Sequence, residues 1–581
     1  MSNVLNSKEM KKVMHVSLGQ QKADLVITGG DVLSVYSGEL LRNYSVGIKG
    51  KWIAYVGPDA RHTIGPETKV LDVSNKVLIP GLIDGHAHMI YYGTPDEIIR
   101  YAAKGGTTTI VTETLEIIFA LGYAGLVEWL DAIRNQPIKV FATIPPSITI
   151  SKGARKRGPT LEQLLKLLQR EEVAGVGEGF WQEVIRGEIN FPSLSEKSLR
   201  LKKTVEGHAA GCRAEKLAAY LAFGVSSCHE STSVEEVLEK LRAGLCVMIR
   251  EGSIRKELEV ISKIKTMQID FRRLALVSDG FDPRDLVKTG YMEHVVQRAI
   301  NLGFEPVSAI QMATLNPAEH FGLDSFLGGI APGKHADILI IPDVQTIKPE
   351  YVISNGHIIA QNEKLLVKPS RINLTQRGPE GIRVSPSDFR VRAEGRSPLK
   401  VRVIDQVSEL VTRETILDIS PQHSELKADP EHDLLKISLI NWEGEMFTGL
   451  IKGLGIKAGA FATSSGWETF AIVVAGTNEE DMARAVNRVS ELGGAIVLCN
   501  NGQIEAELPL PIGGIISNLT IEEVAQKLEL IQEKAKELGF RFSDAPLTFA
   551  TLTSPAIPFI RISEDGLVDV KKNHVVDLFL R

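Results

Sequence analysis

Three rhythms of apolar and polar positions follow one another along the chain. From Ala23, the stretch ADLVITGGDVLSVYSGELLRNYSVGIKGKWIAYVG consists of short β-rich runs broken by Gly-Gly, Ser-Gly and Lys-Gly pairs, which predicts a meander of hairpin strands. The same rhythm returns after residue 330 in HADILIIPDVQTIKPEYVISNGHIIAQNEKLL, where Asn355-Gly356 signals a two-residue hairpin. Segments 1–79 and 328–368 are therefore expected to pair into one small β-sandwich domain.

Between residues 80 and 327, apolar strand-like runs alternate with amphipathic helices, the pattern of βα units around a parallel sheet. One strand ends at His86. The others are GTTTIVTET from Gly106, IKVFATI from Ile138, VAGVGEG from Val173, TVEGHA from Thr204, VSSCHE from Val225, LCVMIREG from Leu245 and RLALVSDG from Arg273. That set is enough to close a (β/α)₈ barrel of typical size. Asn316-Pro317 is expected to open the last barrel helix, with Asn as its cap. From 369 to 581 the pattern becomes that of a C-terminal α+β domain. Capping-box starts at Thr477 with Glu480 and Thr520 with Glu523 precede apolar-periodic stretches there. The expected fold class is α/β: a TIM-type barrel, a flanking split β-sandwich and a C-terminal α+β domain.

Composition narrows the function. Apolar residues at 43% and charged residues at 24% suit large folded cores. A net charge of −6 gives no electrostatic reason to expect nucleic acid or anionic membrane as a partner, which leaves a small-molecule substrate. Four cysteines without close spacing exclude a disulfide framework or a zinc knuckle. The charged N-terminus lacks the apolar core of a secretory signal, and no long apolar run follows, so the expected location is cytoplasmic.

Candidate chemistry lies where apolar runs end on polar side chains. His86 and His88 alternate along one strand end, so both imidazoles share a face. Glu178, His208, His229 and Asp279 each terminate another run. In a barrel all strand C-termini open onto one mouth, so these six side chains converge. Four imidazoles and two carboxylates suit Zn²⁺, Mn²⁺ or Fe²⁺ and exceed what one tetrahedral ion requires. The simplest use is two divalent ions bridged by Glu178 and a water or hydroxide, whose pKa falls toward about 7. Asp279 would take the water's proton and pass it to a leaving nitrogen.

The segment PGLIDGHAH from Pro80, the later histidines and Asp279, and the returning sheet at APGKHADILI resemble the amidohydrolase superfamily of metal-dependent hydrolases. The run from Val205 through Ser253, MATLNPAEHFGL from Met312, VAGTNEEDMARAVNRVSELGGAIVL from Val474 and ELPLPIGGIISNL from Glu507 resemble bacterial adenine deaminases over nearly the whole chain. The resemblance implies that His86 and His88 bind a first metal, Glu178 bridges, His208 and His229 bind the second, and Asp279 is both ligand and proton shuttle. It further implies hydrolytic deamination of adenine to hypoxanthine and ammonia, with Mn²⁺ expected, Fe²⁺ or Zn²⁺ as alternatives, and a homo-oligomeric assembly.

Several segments depart from that family pattern. Met89-Ile90-Tyr91-Tyr92 stands where Glu-Ser-Ser is expected, and Glu113-Thr114-Leu115-Glu116 where Asp-Pro-His-Glu is. Asp279-Gly280 replaces an Asp-Asp pair, and Ser465 to Thr469 a His-Asp-Ser-His stretch. Tyr91, Tyr92, Glu113, Arg250 and Glu251 are the candidate substrate contacts. Glu206 and Glu230 flank metal histidines, and either they orient those rings or, because alternation places them on the opposite side of the strand, they have a structural role. Alternatives to adenine are another aminopurine, a cyclic amidine or a cyclic amide, and further off a catalytically silent scaffold.

Overall fold

The computed structural model describes residues 4–146, 149–187, 190–375, 378–394, 398–557 and 559–580. Strands β1 (Leu25–Ser34), β2 (Glu39–Lys49), β3 (Trp52–Gly57), β4 (Lys69–Asp72) and β5 (Val77–Pro80) come from the first segment. The barrel strands are β6 (Leu82–Ala87), β7 (Thr107–Thr112), β8 (Lys139–Ile144), β9 (Val173–Phe180), β10 (Thr204–His208), β11 (Ser227–Cys228), β12 (Cys246–Arg250) and β13 (Leu274–Val277). β14 (Ile338–Ile341), β15 (Tyr351–Ser354), β16 (His357–Gln361) and β17 (Lys364–Leu365) follow the barrel.

The flanking strands form one sheet in the order β17-β16-β15-β14-β5-β1-β2-β3, with β4 beside β1. β14 joins the two chain segments by pairing antiparallel with β5, Leu339 opposite Ile79. Period-two alternation gives the sheet two apolar faces. Ile27, Ile48, Ile53, Leu78, Ile338 and Ile340 fill a core of their own, whereas Leu33, Ile79, Leu339 and Ile341 pack into the barrel's helical layer. The Asn355-Gly356 turn has positive φ at both positions, 50° and 77°, as a twist-matched two-residue hairpin requires.

In the barrel, β6 to β10 run parallel in sequence order and β11 to β13 form a second parallel set. Ser226 N–H donates to Val205 O at 2.9 Å where the sets meet on one side. Asp279 N–H donates to His86 O at 3.0 Å on the other, which closes the ring. Every residue of β6, β7 and β9 is buried, as expected of parallel strands covered on both faces. Ile83, Val111, Phe141, Ala174, Met248 and Ala275 share one core, and their strand neighbours Leu82, Ile110, Val140, Val173, Val247 and Leu274 share another under the helices.

The C-terminal part is built on a second nine-stranded sheet. The helix Glu479–Glu491 places Met482, Val486 and Val489 in one of its cores, and the helix Ile521–Glu537 places Val524, Leu528 and Ile531 in another. Tyr91 and Tyr92, from the loop after β6, belong to that second core, so the barrel mouth and this sheet are packed together. Tyr92 O accepts from Ser517 N–H at 2.9 Å, and Glu522 takes Arg100 at 2.5 Å and the Tyr101 hydroxyl at 2.7 Å.

Two expected caps move by a residue or more. Thr520 and Glu523 form the reciprocal box, but the helix Glu479–Glu491 is capped by Asn478, which accepts from Asp481 N–H at 2.7 Å. Thr477 instead bonds Gly459 O at 3.2 Å. Asn316 lies inside the helix Leu315–His320 and is no cap; its amide donates to Phe271 O and Leu274 O at 2.8 and 2.7 Å, tying the helix to the β13 entrance. Among the described residues, no helix is long and apolar enough to cross a membrane.

Candidate active site

The six strand-end residues converge. His86 Nε2 lies 3.1 Å from Glu178 Oε1 and 3.2 Å from Asp279 Oδ1. His88 Nε2 lies 3.3 and 3.5 Å from the same two oxygens. Across the mouth, His208 Nδ1 stands 3.1 Å from Glu178 Oε2 and His229 Nε2 3.2 Å from Glu178 Oε1. Two groups of donor atoms result: His86, His88, Glu178 and Asp279, and Glu178, His208 and His229. Glu178 belongs to both.

Local backbone chemistry puts each group there. Asp279 has a φ of 57° and is followed by Gly280 at 100°, a left-handed turn that swings the carboxylate back over β6 while its N–H holds His86 O. Gly177 makes room beneath Glu178, since a Cβ there would meet Glu113 Oε2 at 2.2 Å. Neighbouring carboxylates orient the rings. Glu116 bonds His88 Nδ1, and Glu230 lies 3.3 and 3.4 Å from the Nε2 atoms of His208 and His229. Arg250 Nη1 joins Glu230 at 2.5 Å and Asp279 Oδ2 at 3.0 Å, and Glu257 holds its other side.

The electrostatics favour a cation. Desolvation opposes charge on His86, yet Asp279 and Glu178 outweigh it and hold the ring up at about 10. His229 is driven the other way, to about 4, by burial and by His86. Desolvation also opposes ionisation of Asp279, but Arg250 and the histidines hold its carboxyl well below the usual carboxylate range. The buried His86 Nε2 makes no hydrogen bond despite two carboxylate oxygens close by. An unsatisfied imidazole nitrogen among ionised carboxylates, with no thiolate present, fits divalent ions of the Zn²⁺, Mn²⁺ or Fe²⁺ type. Above the cluster is a cavity of about 310 Å³, small for a ligand pocket and suited to a single compact ring system.

Comparisons with known proteins agree with this geometry. Residues 77–359 match the amidohydrolase family and residues 409–574 the adenine deaminase C-terminal domain. An adenine deaminase of Moorella thermoacetica is 35% identical, the alignment covering 98% of each chain. The chain belongs to the adenine deaminase family. Archaeal relatives of the same name extend the match: that of Staphylothermus marinus is 34% identical over 96% of both chains, and that of Cenarchaeum symbiosum 30% identical over 98% of this chain and 95% of its own.

Within this adenine deaminase framework, the candidate substrate contacts separate. Tyr91, Tyr92 and Arg250 line the cavity, although Arg250 is already committed to three carboxylates. Glu113 does not line it; the carboxylate lies under Glu178, bonded by Glu178 N–H at 3.3 Å. Glu251 also misses it, because the position after Arg250 turns outward to Arg298 at 2.7 Å and to Leu258 N–H. Glu206 likewise faces away from the ligand groups, toward His320 and Ser227. Sequence reasoning left out Glu116 as a partner of His88, and Phe119 and Phe180 as cavity walls, whereas the walls Leu115, Trp467 and Glu468 belong to the segments that depart from the family pattern. A signal existed for Glu116, an acidic residue just beyond a strand whose end faces the mouth. For the wall contributed by the C-terminal sheet the signal was the departing stretch from Ser465 to Thr469.

Proposed function

We propose that this chain hydrolytically deaminates adenine to hypoxanthine and ammonia at a binuclear metal site. The carrying observation is Glu178, whose carboxylate serves two donor groups at once beneath a small cavity. His86, His88, Glu178 and Asp279 would hold one ion, and Glu178, His208 and His229 the other. Such ions, when bound, lower the pKa of a coordinated water toward about 7 and polarise the group under attack. Manganese is the expected metal, with iron or zinc as alternatives.

The chain's own groups manage the protons. Asp279 presents Oδ1 toward His86 and His88, while Arg250 fixes Oδ2 at 3.0 Å, so one carboxylate oxygen is placed to take a proton from the attacking water. The water oxygen bonds to C6 of the purine and the C6–N6 bond breaks. One water proton ends on ring N1 and the other leaves with the amino group as ammonia. Tyr91, Phe180 and Trp467 offer flat walls for the ring. We also expect a cytoplasmic homo-oligomer, to be checked by sedimentation.

The test is ammonia release from adenine by Mn²⁺-reconstituted protein, with Asp279→Asn as control. One hypoxanthine per ammonia is expected, with kcat reduced by about 10²- to 10⁴-fold in the variant. No ammonia from adenine or any related aminopurine, by protein carrying two metal equivalents, would overturn the reading. Ile90 to Tyr92 and Ser465 to Thr469, from the departing segments, line the cavity, which favours another aminopurine or a cyclic amide as the second reading. Ring-opened product without ammonia would identify the amide.

A further inference from the structure

Glu468 is the half-buried acid facing the cavity that the deamination chemistry leaves unused. It comes from the C-terminal sheet, in the loop between the strands Ala460–Thr463 and Ala471–Gly476, and lines the cavity with Ser465, Gly466, Trp467 and Thr469. Its φ of 52° is uncommon for a residue with a long side chain. The conformation is fixed from both sides. Trp467 N–H donates to Ala550 O at 2.9 Å, and the Thr149 hydroxyl donates from the barrel side to Glu468 O.

The hydrogen-bonding capacity of this wall is unspent. Ser554 reaches the Glu468 carboxyl, but Oε2 is sealed from water and has no partner, and the adjacent Thr469 Oγ1 is also without one. Buried polar atoms in native proteins are nearly always paired, and an orphan in a cavity wall is explained when a ligand completes it. The charged groups around the carboxyl are Glu116 and Glu178 from the barrel, His208 at the end of β10, and Arg561 from the strand Ile560–Ser563. Burial first, with Glu116 and Glu178 adding to it, pushes the carboxyl up to about 8.

On the deamination reading of this site, we propose that Glu468 is a specificity-determining residue, its carboxyl hydrogen-bonding a ring nitrogen of the aminoheterocycle seated over the strand ends. The barrel thus supplies the reacting groups and the C-terminal sheet reads the ring. A heterocycle lacking that nitrogen leaves the carboxyl orphaned, and such a mismatch discriminates far more strongly than a missing apolar contact.

The experiment compares full-length, Mn²⁺-reconstituted wild type with Glu468→Leu, Glu468→Gln and Glu468→Asp. It uses ammonia release from adenine and competitive inhibition by deaza-adenines that each lack one ring nitrogen. In the leucine variant KM should rise about 10- to 100-fold with kcat nearly unchanged, as for loss of one buried hydrogen bond. One deaza-adenine that wild type binds poorly should then bind as well as its parent. Glutamine, which keeps an N–H donor at the same reach, should preserve the discrimination, and aspartate, one methylene shorter, should lose it. If the leucine variant does not fold, the glutamine and aspartate pair decides. Unchanged KM and an unchanged deaza pattern in folded variants would overturn the proposal. Wild type that releases no ammonia would instead overturn the deamination reading, before any variant is compared.

Discussion

Glu293 is a buried carboxyl remote from the ligand cluster, and its surroundings give it a cost that depends on pH. Its Oε1 accepts Tyr291 N–H at 3.0 Å and sits against Gly290, but its Oε2 has no partner and sits against Gly105. Burial pushes it up to about 7. The unfolded chain would ionise it near 4.3, so above pH 7 the native state holds a charge against its preference, and the cost fades as pH falls toward the unfolded value. Glu293→Gln is therefore expected to stabilise the protein by about 2 kcal/mol near pH 8 and by almost nothing near pH 4.5. Denaturation at both pH values measures this, and an equal change at both would mean that packing, not ionisation, is responsible. The ligand residues were legible at this scale because each is a polar side chain ending an otherwise apolar run. Glu116 and Glu468 stood in segments that depart from the family pattern, but their roles were not legible. Glu116 lies in the first turn of the helix Leu115–Ala132, where an acidic residue has an ordinary role opposite the helix dipole. Glu468 acts through a fold contact far along the chain.

At the scale of elements, the alternation of period two and period 3.6 located all eight barrel strands, while the caps depended on details that period alone does not carry. Thr477 and Glu480 have the spacing of a capping box, yet the turn starts one residue later because Asn478, with its short amide, accepts from Asp481 N–H and also donates to the Asp481 carboxylate at 2.8 Å. Asp481 in turn receives Gly502 N–H at 2.7 Å, which locks the hairpin after the strand Ala495–Asn500 to this helix. Asn478→Ala is thus expected to cost about 1 kcal/mol or somewhat more, since it leaves the Asp481 N–H without its acceptor and the Asp481 carboxylate without one of its donors. Thr477→Ala should cost under about 0.5 kcal/mol, because it removes one hydroxyl contact at a half-buried site. Urea midpoints of the two variants test the order, and a larger loss for Thr477 would restore the box that the sequence suggested. Arg250 and Glu251 carry the same lesson for strands. Adjacent positions take opposite faces, so only one of the two candidate contacts was free to meet the cavity.

For the molecule as a whole, the decisive feature is that the C-terminal sheet closes the barrel mouth, and charge as well as apolar packing holds it there. Arg284, on the helix Pro283–Thr289 just after the Asp279 turn, bonds Asp282 at 2.7 and 2.8 Å and reaches across to Asp544 at 2.5 Å. Asp544 caps the helix Ala545–Ala550, which stands beside the loop that carries Glu468. Burial raises the Asp544 carboxyl, and only Arg284 and its backbone donor act against that. Arg284→Met leaves Asp282 and Asp544 facing each other without their cation, and breaking a buried pair in this way costs about 3 kcal/mol. Because the remaining cost is that of ionised carboxylates, it should shrink as pH falls and Asp544, whose carboxyl is raised by burial, takes a proton. A second change, Asp544→Asn, should recover part of the stability near neutral pH. If the cavity depends on this closure, the single variant will also raise KM for the heterocycle while leaving the metal content intact, since no ligand residue lies on the moving side. Loss of stability with the same size at acid and neutral pH, or loss of metal before loss of substrate binding, would show that the sheet supports the barrel's ligands and does not merely cover them.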